Sequence, residues 1–298
     1  MEARATTLSE NTAFVMPRGL LGEWGLSVLV ERDDRKVLLD AGASISVARN
    51  GGLLGVNWDR IDAIVLSHGH YDHTGGLREV LTRIRKRIKV IAHPDVFDAK
   101  FIQMSKDQSP VYIGVPFQKA ELESLGADFQ LTSEPVWLSE SVVTSGEIPM
   151  ITDFETIDPG LCVREDGEMI PDPLKDDQAL FIKTSRGLVV VLGCAHRGTI
   201  NTLHHARNVT GVETIHTVVG GTHLIRASEL QMEMTIAALK EFGVQRLGVS
   251  HCTGMPAAMR LAQEFGPGFF FNNSGQCDRG VDQNHSQRGG RSQGEGRL

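Results

Sequence analysis

The chain has 298 residues, 41% of them apolar, which is enough for one large domain or two ordinary ones around a sizeable core, so general disorder is not expected. A formal charge of −7 argues against broad electrostatic attraction to nucleic acid or to an anionic membrane surface. No run reaches the roughly 18 uninterrupted apolar residues of a spanning helix, and the opening MEARATTLSENTAF lacks the basic-then-apolar layout of a secretory leader, so a soluble cytoplasmic protein is expected.

Residues 26–31 and 36–40 read as two strands of a hairpin joined by the polar loop Arg32-Asp33-Asp34-Arg35, with Asp40 at a strand end. A third apolar run, Ile61 to Leu66, enters Ser67-His68-Gly69-His70, and 77–87 has the apolar spacing of a helix with a basic outer face. A strand at 90–92 precedes 94–118, which carries three prolines and is expected to be an irregular, lid-like segment. Within 119–150 a short helix precedes strands near 129–131 and 136–144, and 151–177 reads as a polar, acidic loop.

The second half alternates more regularly, with strands at 179–184, 187–193, 214–219 and 246–250 and helices at 199–208, 229–242 and 256–265. Two hairpin-rich halves, each closing with strand–helix units, predict an α/β layer structure of two facing sheets with helices on both outer sides. From Asp278 the chain has almost no apolar residues and is expected to be a disordered tail over 278–298, leaving 1–277 as the folded domain. The four cysteines, Cys162, Cys194, Cys252 and Cys277, have no CxxC spacing and are too sparse for a disulfide framework, but Cys194 and Cys252 each lie beside a histidine motif.

His68-Gly69-His70-Tyr71-Asp72-His73 places three imidazoles and a carboxylate within six residues, directly after an apolar strand and before Thr74-Gly75-Gly76 and a helix. Imidazole and carboxylate are ligands for zinc, iron or manganese. A tight loop is needed because neighbouring strand residues point to opposite faces, and the glycines allow it. A solvated loop with chance histidines is the bland alternative, and the density of the motif speaks against it.

Further ligands must come from other strand ends. Val189–His196, Val218–His223 and Leu247–Cys252 each end a buried strand in a candidate ligand and lead into a helix. In open α/β sheets ligands bind at the carboxyl ends of strands. A single such histidine would usually be an ordinary loop residue, but three in series make His196, His223 and His251 candidates. His204, His205, His216 and His285 are read as incidental, and His93, before Pro94, as a residue that lines the pocket.

These residues resemble the metallo-β-lactamase superfamily, through the HxHxDH loop, the upstream strand ending in Asp40 and the late histidines. Glu23-Trp24-Gly25-Leu26-Ser27, the stretch from Leu66 to Leu77, Asp176-Asp177-Gln178-Ala179-Leu180, Gly193-Cys194-Ala195-His196, Gly220-Gly221-Thr222-His223-Leu224 and His251-Cys252-Thr253-Gly254 narrow the likeness. They resemble a branch of metal-dependent hydrolases that includes an archaeal dihydropterin-ribofuranosylaminobenzene phosphate synthase of methanopterin biosynthesis. The resemblance implies a four-layer αββα sandwich and two divalent metal ions, zinc foremost, with iron or manganese as alternatives. His68, His70 and His196 would hold one ion, and Asp72, His73 and His251 the other. Two departures stand out: Trp24 replaces an expected histidine at the pocket mouth, and the usual bridging aspartate is missing, with Cys194, His223 and Asp177 as candidates for its place.

The expected activity is hydrolysis of a small-molecule ester, lactone or phosphoester by a metal-activated water, with Asp40 orienting a ligand histidine and Asp72 or His223 handling a proton of the leaving group. One alternative is a pterin-alkylating transferase that releases pyrophosphate, for which Arg197 and Arg226 offer phosphate contacts. Another is a non-catalytic, metal-holding binding protein. A redox diiron site suits the same ligands. A small-molecule substrate is expected, without nucleic acid or membrane, and a homodimer is compatible with the composition. The segments 94–118 and 151–177 are expected to set specificity.

Overall fold

The computed structural model describes residues 3–105 and 107–279. The elements are, in chain order, β1 (Arg4–Ser9), β2 (Ser27–Arg32), β3 (Arg35–Leu39), α1 (Ser46–Leu53), β4 (Ala63–Val65), α2 (Tyr71–Thr74), α3 (Leu77–Ile84), β5 (Ile88–Ala92), β6 (Lys100–Ile102) and β7 (Val111–Tyr112). They continue with α4 (Lys119–Ser124), β8 (Ala127–Leu131), β9 (Val142–Thr144), β10 (Leu161–Glu165), β11 (Glu168–Pro171), β12 (Ala179–Thr184), β13 (Gly187–Leu192) and α5 (Thr199–Thr210). The chain closes with β14 (Ile215–Gly221), α6 (Glu229–Glu241), β15 (Arg246–Ser250), α7 (Met255–Phe265), β16 (Phe269–Phe271) and β17 (Cys277–Arg279).

Two large sheets organise the molecule: β17-β1-β2-β3-β4-β5-β8 and β16-β15-β14-β13-β12-β9. Their central strands are buried on both faces, so alternation there sorts side chains between two apolar layers rather than between core and water. Val28, Val30, Val37 and Leu39 of the first sheet meet Leu180, Ile182, Val189 and Val191 of the second in one cluster. The intervening residues turn outward: Leu29 and Leu38 pack with Leu77, Val80 and Leu81 of α3, and Phe181, Val190 and Leu192 pack with Leu203, Ile236 and Leu261 of α5, α6 and α7. The result is the four-layer αββα sandwich that the alternation of elements predicts.

Several details differ from the sequence reading. Arg32 pairs with Arg35, so the first hairpin turns on Asp33-Asp34 alone, with Asp33 at φ 55°, rather than on a four-residue loop. The helix expected over 77–87 stops at Ile84, because Arg85 adopts the left-handed conformation at φ 53°. The strand expected over 136–144 is confined to Val142–Thr144, with Trp137 making only an isolated bridge to Val143.

The segments 94–118 and 151–177 are not structureless. They contribute β6 and β7, and β10 and β11, to a small third sheet in the order β11-β10-β6-β7. These strands are two to five residues long, too short to register as periodicity. β1, α1, β16 and β17 also escaped the sequence reading, and β17 pairs with β1 through Cys277, Asp278 and Arg279, past the boundary set at 277. The rest of the tail, with His285, lies outside the described residues. No helix of the described residues is long and apolar enough to cross a membrane.

Candidate metal centre

Strand β4 runs parallel between β3 and β5, and its carboxyl end delivers Ser67, His68 and His70 to one edge of the sandwich. Gly69 is required there by close approach: a β-carbon at this position would stand 2.1 Å from the Val96 carbonyl oxygen. The short helix α2 then presents Asp72 and His73 in its only turn. The second sheet meets this edge with the carboxyl ends of its parallel strands β13, β14 and β15, which deliver Cys194 and His196, His223, and His251 and Cys252. Ala195, His223 and His251 all have positive φ, at 54°, 49° and 54°. Backbone strain of this kind at non-glycine residues persists where surrounding contacts hold it, and it accumulates at functional sites.

The nitrogen and oxygen donors converge in two groups. His68 Nε2 lies 2.9 Å from His70 Nδ1 and 3.2 Å from His196 Nε2. His251 Nε2 lies 3.2 Å from His73 Nε2 and 3.3 Å from Asp72 Oδ2. Cys194 Sγ joins both: with His68 and His196, and with His73 and His251, its donor atoms fall within 4.8 Å of one another. It stands 3.1 Å from His73 Nε2. A third group combines Cys194 with His223 and Cys252.

Burial and the mutual charge of neighbouring rings hold His68 and His196 well below the ordinary histidine value and bring His70 to about 3. These rings are therefore neutral, with the ring nitrogens of His68, His70 and His196 converging on one another beside the Cys194 thiol. Such a donor set fits a cation: neutral imidazole is the ligating form, and a positive ion resolves the mutual repulsion of lone pairs.

Burial would raise the Asp72 carboxyl, but the hydrogen bond from His251 and the charges of His73 and His251 leave it below the usual carboxylate range. Burial lowers His73, yet the charge of Asp40 and the hydrogen bond to it prevail and raise it to about 9. A cation at Nε2 would take the place of that ring proton, and the same carboxylate would strengthen the nitrogen as a donor.

Supporting contacts orient the donors. The buried Asp40 carboxylate accepts from Ser67 N–H at 2.7 Å, from Ser67 Oγ–H at 2.7 Å and from His73 Nδ1 at 2.7 Å. Ser67 Oγ in turn accepts from His68 Nδ1 at 2.9 Å, so one carboxylate fixes two rings with Nε2 turned inward. His251 Nδ1 donates to Asn11 Oδ1 at 3.1 Å, and His251 N–H donates to Glu10 at 2.8 Å. Beneath the loop, Lys100 is 1% exposed and donates to Asp172 at 2.8 Å and to Asp176 at 2.9 Å. Asp176 accepts the Gly69 N–H at 2.8 Å, which ties the turn between His68 and His70 to a buried ion pair.

All six residues read from the sequence as metal ligands, His68, His70, Asp72, His73, His196 and His251, thus meet at one edge. Of the three candidates for the missing aspartate, Cys194 has its sulfur in both groups. Asp177 belongs to none of the donor groups; one oxygen accepts the Arg197 N–H at 2.9 Å, the other is buried without a partner, and burial raises its carboxyl to about 7. The His223 ring leans on His196 with centroids 4.1 Å apart, and its Nδ1 is buried without a partner.

His93 does not join the donor groups; its Nδ1 accepts from Asp95 N–H and caps a short helical turn at Pro94–Phe97. His204 packs on Phe242, His205 bonds the Ser145 carbonyl and His216 bonds Thr217, as expected of incidental histidines. Arg197 and Arg226 are engaged by the chain itself, by the Pro173 carbonyl and by Asp158. The sequence reading missed Asn11, Glu10, Lys100 and Asp176 as supports; none adjoins a histidine, and only the folded chain brings them near.

The family model of the metallo-β-lactamase superfamily matches residues 25–197, which contain the HxHxDH loop and extend to His196. The chain belongs to the metallo-β-lactamase superfamily. Superfamily members bind divalent metal, and most are enzymes.

Among curated proteins, one similar to this chain is a 7,8-dihydropterin-6-methyl-4-(β-D-ribofuranosyl)-aminobenzene-5′-phosphate synthase of Methanocaldococcus jannaschii. It is 33% identical over 252 residues, covering 81% of this chain and 84% of that protein. An uncharacterised protein of the same archaeon is 30% identical over 258 residues, covering 86% of this chain and 93% of its own length. Among solved structures, Tm1679, described as a metal-dependent hydrolase of the β-lactamase superfamily, superposes with a TM-score of 0.79 at 28% identity, covering 92% of this chain and 98% of its own.

Proposed function

We propose that this protein is a binuclear metal-dependent hydrolase of a small-molecule ester, lactone or phosphoester. The observation that carries the reading is the convergence of two donor groups on the single sulfur of Cys194. In it His68, His70 and His196 would hold one ion and Asp72, His73 and His251 the second, and Cys194, whose sulfur belongs to both donor groups, would serve where an aspartate is expected. A mixed imidazole, carboxylate and thiolate set favours zinc, with iron next and manganese less suited to the sulfur. Two divalent ions held there supply an acidified water as nucleophile and a charge that polarises the carbonyl or phosphoryl oxygen of the substrate.

The chain's own residues do the rest. Asp40 and Ser67 keep the Nε2 atoms of His68 and His73 turned inward, so the donors are oriented before a metal arrives. Asp72 faces His251 with its oxygen and acts as a donor rather than as a proton source. That leaves His223, with its ring against His196 and Nδ1 unpartnered, to pass a proton to the leaving group.

The test pairs metal analysis with turnover of an ester, lactone and phosphodiester panel. Native protein is expected to carry two ions per chain and to turn over at least one class. His70→Ala and His251→Ala are each expected to lose one ion and more than about 100-fold in rate. Full activity with unchanged metal content in either variant sinks the assignment, and two ions without any turnover favours a metal-holding binding protein.

A second reading is favoured by the relative at 33% identity that is named as a pterin synthase. In it an arylamine nitrogen, rather than water, would attack the methylene carbon of a pterin methyl diphosphate, the C–N bond forming as the C–O bond breaks, with pyrophosphate leaving and the amine giving up a proton; ions held by the same donors would supply charge for the departing pyrophosphate. Pyrophosphate release that depends on added arylamine selects this reading; release that is indifferent to it selects hydrolysis.

A further inference from the structure

A cavity of about 280 Å³ opens directly beside the second donor group and shares His251 with it. Its size lies just below the usual range of small-molecule pockets, so it holds part of a ligand rather than a large whole one. Its walls are mostly apolar. Trp24, Ile225, Met255 and Phe271 all line it and are 47%, 46%, 64% and 39% exposed. Four large apolar side chains open to water around one concavity differ from the scattered exposed apolar residues that any surface carries.

One side of the Trp24 ring leans against His251, with centroids 4.9 Å apart and planes at 54°. The exposed remainder of the indole offers a flat surface to the cavity. An indole beside methionine and phenylalanine suits a planar ring, which gains stacking and sulfur–aromatic contact there.

The polar inventory restricts the occupant further. Among the described residues only two ionisable side chains line the cavity, Glu10 and His251, and no lysine or arginine does. Glu10 is already committed, with one oxygen to the His251 N–H at 2.8 Å and the other to the Thr12 N–H at 2.6 Å. Asn11 is committed to both the Nδ1 and the carbonyl of His251. A phosphate or carboxylate placed here would meet no positive side chain of the chain's own and would lie close to the Glu10 carboxylate. The neutral amide of Asn273 and the hydroxyl of Thr12 remain to meet the polar edge of an uncharged ring.

We propose that this cleft binds the neutral, flat aromatic body of the substrate, stacked on Trp24, while the reacting ester or phosphoryl group extends past His251 to the donor groups. The orientation follows from charge: the anionic or polarisable end meets the metal ligands, and the uncharged end meets the apolar wall. Trp24 thereby acts as a specificity residue, an aromatic platform at the mouth of the cleft. The proposal rests on the metal-centre reading above only for the direction in which the substrate lies.

The test uses 6-methylpterin, a neutral fused bicycle, and naphthalene-1-sulfonate, a flat anion of similar size, with binding followed by equilibrium dialysis against native protein. Saturable binding of 6-methylpterin, with the sulfonate at least 10-fold weaker, is expected. Trp24→Ala should weaken 6-methylpterin at least 10-fold, and Trp24→Phe should restore it to within about 3-fold of native. Trp24 is half exposed, so both variants are expected to fold, and circular dichroism checks this. Met255→Lys, at another lining residue of the cleft, should reverse the preference toward the sulfonate.

Equal binding of the two probes, unchanged binding in Trp24→Ala, or no binding of 6-methylpterin at millimolar concentration overturns the proposal. Repeating the titration on His70→Ala protein separates it from the metal reading. Lost metal with retained probe binding leaves the cleft standing, and retained metal without probe binding removes the cleft alone.

Discussion

The two donor groups are built from the same residue types but held in different ways. In the second group both histidines are fixed through their rings: His73 Nδ1 on Asp40 and His251 Nδ1 on Asn11. In the first group only His68 has such a partner, through Ser67, while His70 Nε2 and His196 Nδ1 are buried without hydrogen-bond partners. The first group is held through the backbone instead, by the Gly69 N–H on Asp176 and by Lys100 beneath it. A ring held at its far nitrogen is fixed in tautomer and angle, whereas a ring held by its loop is fixed only in position. The second position is therefore the more preorganised, and the first depends on a buried ion pair that makes no contact with any ring.

That dependence yields the largest expected effect. Lys100→Met leaves the buried carboxylates of Asp172 and Asp176 without their cation. Removing one partner of a buried ion pair typically costs about 3–5 kcal/mol. Chemical denaturation of metal-free protein should show a loss of that size, and metal titration of the surviving folded fraction should show the first position weakened more than the second. If stability falls by less than about 1 kcal/mol, or if both positions weaken equally, the backbone-held account of the first group is wrong.

The same contrast explains which parts were legible in the sequence. His68, His70, Asp72 and His73 are contiguous, so their density showed in six residues, and His196 and His251 showed because each ends a run of buried strand residues. Strands sandwiched between two apolar layers give long apolar runs, which is why β2, β3, β12 and β13 were readable and the facing sheets could be expected. The third sheet was not, because β6, β7, β10 and β11 are short and only partly buried, and their pairing, Lys100 to Val163 for example, is set by contacts far apart in the chain. Asn11 and Lys100 were silent for the same reason, and Asp176 stood out only within a resembling stretch, without a role as a support. An amide or a carboxylate becomes a support only when folding places it against a ring or a loop, and nothing local in sequence marks it.

Asp40 offers a sharper test of the ring-held group. Asp40→Asn keeps the shape but replaces one acceptor oxygen with an amide N–H, so it can no longer receive Ser67 N–H, Ser67 Oγ–H and His73 Nδ1 together. Loss of a carboxylate that supports a ligand histidine typically lowers metal affinity about 10–100-fold. The loss should be larger at the second position, where Asp40 touches the ring itself, than at the first, where it acts on His68 through Ser67. Equal losses would mean that the Ser67 relay is as strong as direct contact.

The smallest effect, and the one that needs no substitution, is the order in which the ions leave. His70 and His196 are held by ring packing alone, with no hydrogen bond at the far nitrogen to fix tautomer and angle, so the first position should release its ion more easily. Stepwise chelation of the two-ion protein is expected to pass through a one-ion form over about a 10-fold range of chelator, a separation worth about 1.4 kcal/mol. In that form, cobalt placed at the second position should keep sulfur-to-metal absorption from Cys194, because its Sγ lies 3.1 Å from His73 Nε2. Simultaneous release would mean that the shared sulfur couples the two positions so tightly that the difference in their supports no longer matters, and the contrast between ring-held and backbone-held ligands would then be structural only.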